Sequence, residues 1–232
     1  MNEDIQDEFN MRCHDILVDL ENSNEMNVKN KKEMDEIISV IMPNITQANI
    51  PNNATIIRER MFLNCKRITE IVIPKSIIKI EKLAFSNCSS LRQLNFPSSL
   101  KEIGESSFAG CTSLTSLNIP SSVNIIGMAA FDGCKAVRYI TIPSSLKIIN
   151  SLVFANCTSL TSISIPSSVT KIETRAFYNC TSLYSVNIPN TYCSLTIGDN
   201  AFNGCQMLSS VKLPRYANYS TSSFASNTKV TK

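Results

Sequence analysis

A solenoid of stacked 23-residue coils, preceded by a small helical cap, is the fold that this 232-residue sequence predicts. Three observations carry it. Seven of the nine cysteines, Cys65, Cys88, Cys111, Cys134, Cys157, Cys180 and Cys205, stand 23 residues apart, except for a last gap of 25. A phenylalanine lies three positions before each of them, at Phe62, Phe85, Phe108, Phe131, Phe154, Phe177 and Phe202. Prolines keep the same beat at Pro51, Pro74, Pro97, Pro120, Pro143, Pro166 and Pro189, with Pro214 after the longer interval. A fixed period of this size marks a unit that cannot bury its apolar side alone, so that each coil must stack on the next.

The chain opens on a different kind of segment. Residues 1–42 hold eleven acidic and four basic side chains, a net −7, whereas 43–232 carry +10. Ile5, Phe9, Cys13, Ile16, Leu17 and Leu20 are spaced for one helix face, and Met34, Ile37, Ile38 and Ile41 for a second that Pro43 would end. The expectation is an acidic two-helix cap over the open end of the first coil. The alternatives are a detachable partner-binding segment and disorder.

Coils occupy 43–214. In the unit around Leu160-x-x-Ile163-x-Ile165-Pro166, apolar residues alternate as in a short half-buried strand. Proline lacks an amide donor and closes the strand, and serine pairs such as Ser167-Ser168 supply the turn. Val169 and Ile172 form a second inward segment, and Ala176-Phe177 with Cys180 completes the coil. Traced backward, the strand column begins with Ile45-x-x-Ala48-x-Ile50. It ends with Leu208-x-x-Val211-x-Leu213, eight strands in all. At roughly 4.8 Å per strand, the stack would run about 35–40 Å. Terminal coils depart from the pattern, as end units must: Met61 replaces the usual small residue, TYCSLTIGD carries the insertion, and 215–232 reads as a partial coil with a polar tail.

The unit resembles the BspA-like, Treponema-type leucine-rich repeat, L-x-x-L-x-I-P followed by L-x-x-I-x-x-x-A-F-x-x-C, over about 43–214. That resemblance implies a right-handed leucine-rich-repeat solenoid, with a parallel sheet on its concave side and short extended segments opposite. It also implies protein–protein contact rather than catalysis, and adhesion to host surfaces in secreted members.

Composition narrows the chemistry. No apolar run approaches the 18 or so residues of a membrane span, and MNEDIQDEFN lacks the apolar core of a secretory leader, so a cytoplasmic location is expected. Nine cysteines beside one histidine invite a metal site, yet no Cys-x-x-Cys pair occurs and the seven periodic cysteines fall one per coil. Neighbouring coils would be close enough for disulfides, but a small buried hydrophobe explains an odd-numbered column more simply. Cys13 and Cys193 lie outside the column. Cys13 abuts His14, but adjacent helix positions face apart, so no catalytic dyad is expected. The six glycines form no phosphate loop, and no cofactor or metal is expected. Six sequons, at Asn44, Asn53, Asn87, Asn156, Asn179 and Asn218, read as incidental, because three arise from the repeat's own Asn-Cys-Ser/Thr string.

Candidate contact residues follow from strand alternation. One outward column on the expected concave face is Gln47, Glu70, Gln93, Ser116, Tyr139, Ser162, Ser185 and Ser210. The next is Asn49, Val72, Asn95, Asn118, Thr141, Ser164, Asn187 and Lys212. Contact energy concentrates on Tyr, Trp and Arg. The candidate partner-binding set is therefore Arg92, Gln93, Asn95, Asn118, Arg138, Tyr139, Thr141, Ser164, Tyr184 and Asn187; the plain alternative is a solvated surface. A basic cluster in the first coils (Arg58, Arg60, Lys66, Arg67, Lys75, Lys79, Lys82) suits the acidic cap or an acidic partner. Nucleic acid fits poorly, since the aromatics occupy core positions. The functional expectation is a non-catalytic scaffold or adaptor for a protein partner, with a cell-surface adhesin as the alternative that the resemblance implies.

Overall fold

The computed structural model describes residues 46, 48, 50–190 and 194–232. The cap expected over 1–42, most of the first expected strand, and Cys13, His14, Gln47, Asn49 and Cys193 lie outside these residues.

Two kinds of strand alternate along the described chain. The odd ones have two residues: β1 (Ile56–Ile57), β3 (Lys79–Ile80), β5 (Glu102–Ile103), β7 (Ile125–Ile126), β9 (Ile148–Ile149), β11 (Lys171–Ile172), β13 (Thr196–Ile197) and β15 (Asn218–Tyr219). The even ones have three: β2 (Glu70–Val72), β4 (Gln93–Asn95), β6 (Ser116–Asn118), β8 (Tyr139–Thr141), β10 (Ser162–Ser164), β12 (Ser185–Asn187), β14 (Ser210–Lys212) and β16 (Lys229–Thr231). Every pairing is parallel and joins equivalent positions of successive coils, as in Ile71↔Leu94 and Ile149↔Ile172. The even strands are the expected strand column, and the odd strands are the second inward segment. The odd ladder runs β1-β3-β5-β7 and then β9-β11-β13-β15. Between these sheets the Asn150 side-chain amide donates to the Ile126 carbonyl at 2.6 Å, so a side chain ties the two coils where the ladder is interrupted.

The interior is a set of columns. Phe62, Phe85, Phe108, Phe131, Phe154, Phe177, Phe202 and Phe224 stack with centroids 5.0–5.7 Å apart. Phe96 meets Phe108 and Phe131 edge-on, a favoured arrangement of aromatic quadrupoles. The seven periodic cysteines are buried and form no disulfide among the described residues. From the second onward, each thiol lies against a phenylalanine carbonyl of the preceding coil, Cys88 on Phe62 at 3.1 Å and Cys157 on Phe131 at 3.5 Å. The column thus uses cysteine as a small hydrophobe with a weak donor. A thiol reagent is expected to leave these seven unreacted in the native protein and to reach all nine cysteines after denaturation. Rapid native reaction of most thiols would contradict the buried column.

Two residues per coil take left-handed backbone angles, a region that L side chains enter at a cost. The second position immediately precedes each ladder cysteine and is always asparagine or glycine: Asn64, Asn87, Gly110, Gly133, Asn156, Asn179 and Gly204. These are the residue types that reach the region most readily, which explains the repeat's Asn-Cys and Gly-Cys strings. The asparagines also link coils: Asn87 donates to Asn64 at 3.0 Å, Asn156 to Asp132 at 2.8 Å and Asn179 to Asn156 at 3.3 Å. A glycan on those amides would displace the bonds. At Gly127 the demand is different, because a Cβ would come within 2.4 Å of the Glu105 backbone nitrogen.

After Pro214, where the sequence reads as a partial coil with a polar tail, coil structure continues to the last strand. Residues 215–232 form β15, a 3-10 turn at Thr221–Ser223 and β16, which pairs with β14. Ala217 and Phe224 keep the core positions. The polar side chains bond the coil before them: Ser220 and Ser222 donate to Asp199, Thr228 to the Leu208 carbonyl and Asn227 to the Gln206 carbonyl. Polar composition here reflects coil-to-coil hydrogen bonding.

Candidate interaction face

Most even strands bury their middle residue and expose the residues on either side, so the face they form consists of alternate side chains. Gln93 and Asn95 project from β4, Asn118 from β6, Tyr139 and Thr141 from β8, Ser164 from β10 and Asn187 from β12; all are exposed. Arg92, Arg138 and Tyr184 stand immediately before β4, β8 and β12 and are exposed too. Seven of the ten residues expected to contact a partner thus project from this face, and Arg92, Arg138 and Tyr184 flank it at the strand starts. Tyr139 is 65% exposed and Tyr184 59%, whereas the described phenylalanines are nearly all interior.

Local bonding holds the rest of this face in place. Thr115 and Thr161 hydroxyls reach the carbonyls of Arg92 and Arg138, one coil back. Asn187 donates to the Ser164 hydroxyl at 3.2 Å. Arg92 and Arg138 have no ion-pair partner among the described residues.

The basic cluster expected as one patch in the first coils is divided around the coil. Lys66 and Arg67 precede β2 and Lys75 follows it, whereas Lys79 lies in β3 on the odd side. Lys79 pairs with Glu102 at 3.4 Å and Lys82 with Glu105 at 2.9 Å. The hydrogen bond from Lys82 to Glu105 holds its ammonium pKa above the ordinary lysine value. The odd side therefore spends much of its charge internally. Likewise, Lys171 bonds Glu173 and holds that carboxyl below its ordinary range. The Ser220 and Ser222 hydroxyls do the same for Asp199.

Some exposed groups escaped the sequence reading. Lys229 joins the even face because β16 exists. On the odd side, Ile125 and Ile148 are 51% and 40% exposed. They lie outward on β7 and β9, and only their isoleucine neighbours Ile126 and Ile149 were needed for the core. Among the described residues, no group of three His, Cys, Asp or Glu side chains converges to hold a metal ion, and no helix is long and apolar enough to cross a membrane.

Parallel two-ladder coils with Phe and Cys columns can now be compared with known proteins. The model of the BspA type leucine rich repeat region matches residues 41–160 and 124–232, in six copies. The chain belongs to the BspA-type leucine-rich repeat family. BspA-type repeats account for nearly all of the described structure, and the family is generally a non-catalytic, protein-binding scaffold. Among solved structures, a leucine-rich repeat protein from Bacteroides ovatus is 31% identical, with a TM-score of 0.69 over 75% of this chain and 44% of its own. The T. pallidum leucine-rich repeat protein is 25% identical, with a TM-score of 0.66 over 70% of this chain and 78% of its own. A leucine-rich repeat protein from Eubacterium ventriosum, 22% identical with a TM-score of 0.53 over 82% of this chain and 44% of its own, shares the fold. This BspA-type chain thus spans less than half of the Bacteroides protein. No curated protein matches it.

Proposed function

We propose that this BspA-type protein is a cytoplasmic adaptor that holds a protein partner on its even-strand face. The observation that carries the reading is the exposure of Arg92, Arg138, Tyr139 and Tyr184 on or beside a face whose other outward positions are mostly small polar side chains. Arginine and tyrosine are the residue types that anchor interfaces. A row of stacked strands presents them rigidly, so that little conformational entropy is lost on binding. A cysteine ladder without disulfides fits a reducing compartment.

The test combines Arg138→Glu with Tyr139→Ala. Both positions are exposed, so stability should shift by less than about 0.5 kcal/mol each, while affinity for a partner identified by capture and mass spectrometry should fall at least about tenfold. Unchanged affinity would remove this face from the interaction. Surface biotinylation of intact cells addresses location: labelling of this chain would replace the adaptor reading with that of an adhesin.

A further inference from the structure

The even-strand face carries charge of one sign. Of the acidic residues in the coils, Glu70 alone projects from an even strand; from β4 through β16 no exposed position on or just before an even strand is acidic. Arg92, Arg138, Lys212 and Lys229 are exposed along the same stretch. The other carboxylates sit beside odd strands or at coil corners, where Lys79, Lys82, Lys171 or side-chain donors engage several of them. The fold thus sorts its compensated charge to one side, and among the described residues Arg92 and Arg138 on the other side have no ion-pair partner.

Spacing narrows the complement. Arg92 and Arg138 occupy equivalent positions two coils apart, because each ladder step moves one coil. Two strand separations come to roughly 9.6 Å, and a polypeptide in the polyproline II conformation, rising about 3.1 Å per residue with three residues per turn, covers that distance in three residues and brings its side chain back to the same face. We propose that the even-strand face receives an acidic peptide segment in the polyproline II conformation lying along the solenoid axis, with carboxylates three residues apart seated on Arg92 and Arg138. Carboxylate–guanidinium pairs of this kind supply charge-assisted, geometrically specific hydrogen bonds. The inference rests on the contact face proposed above and names the chemistry of its partner.

The test uses the whole chain and a fluorescent peptide about thirteen residues long, with glutamate at every third position among glycine and serine. Two comparison peptides are its glutamine counterpart and an isomer with the glutamates contiguous. Binding is read by anisotropy at about 50 mM salt, where screening is modest. The spaced peptide should bind best, and Arg92→Gln with Arg138→Gln should weaken it about tenfold or more. The matched control is Lys101→Gln with Lys147→Gln. These residues are exposed, also two coils apart, and immediately precede the odd strands β5 and β9; that pair should change affinity less than about twofold. Equal loss in both double variants, equal binding of the contiguous isomer, or binding of a heparin fragment without binding of the peptide would each overturn the inference. If Arg138→Glu with Tyr139→Ala abolishes partner binding while the spaced peptide fails to bind, the acidic-peptide inference falls and the contact face stands. If that variant leaves partner binding intact, the contact face itself is wrong.

Discussion

Replacing Phe131 with alanine is expected to lower stability by about 3–5 kcal/mol. The ring is fully buried, stacked between Phe108 at 5.4 Å and Phe154 at 5.7 Å, with Phe96 edge-on at 6.4 Å. Truncation forfeits the transfer energy of the ring and leaves a void that the neighbouring coils cannot close, since their backbones are fixed by bonds on both sides. The Phe131 amide donates to the Val153 carbonyl, and its own carbonyl accepts the Cys134 amide within the coil. It also accepts the Cys157 thiol from the coil after. Loss should therefore be felt in at least three coils, and chemical denaturation should show the midpoint falling. Unchanged melting would mean that the phenylalanine column is not the core.

The second large effect is a collapse of stability at alkaline pH. Burial pushes the Cys111, Cys134 and Cys157 thiols well above their ordinary pKa. In the folded protein these groups keep their protons, whereas in the unfolded chain they release them above about pH 8.5. The unfolded state then binds fewer protons, so stability falls as pH rises. The contribution is fully present below about pH 8.5 and is lost above it, by up to roughly 1.4 kcal/mol per thiol for each pH unit. For three thiols that is about 4 kcal/mol between pH 9 and 10. Melting followed from pH 7.5 to 10 under reducing conditions should show this decline, and Cys157→Ala should make it shallower by one thiol's share. A melting temperature that stays flat to pH 10 would contradict the protonated, buried column.

How far the fold was readable depended on whether a position recurs. Phe131 and Cys134 were legible because their column repeats seven times, and a single inward site leaves the same mark in every coil. Gln93, Asn95, Asn118 and Tyr139 were placed on one face by strand alternation, which has no other solution once Leu94, Leu117 and Ile140 point inward. The final coil reads as partial because it lacks the cysteine; only Ser223-Phe224 preserves the small-residue and phenylalanine pair, 22 residues after Phe202. The left-handed position before each cysteine stood in plain view as asparagine or glycine, but only backbone angles explain that choice. The sorting of charge could not be read from counts. It depends on Glu102 and Glu105 reaching Lys79 and Lys82 one coil back, and it is what makes Arg92 and Arg138 conspicuous on the other side.

The bonds between coils have a kinetic consequence. Side-chain links between adjacent coils join residues 20–28 apart in sequence, from Thr228–Leu208 to Cys205–Phe177. That separation does not grow as coils are added, so the contact order relative to length is modest for an all-β protein. Each coil can settle onto a finished neighbour without a long chain search, and folding can begin at any adjacent pair and spread by accretion. The same locality works in reverse. A coil held from two sides resists opening more than one held from a single side, so opening spreads from one coil to the next.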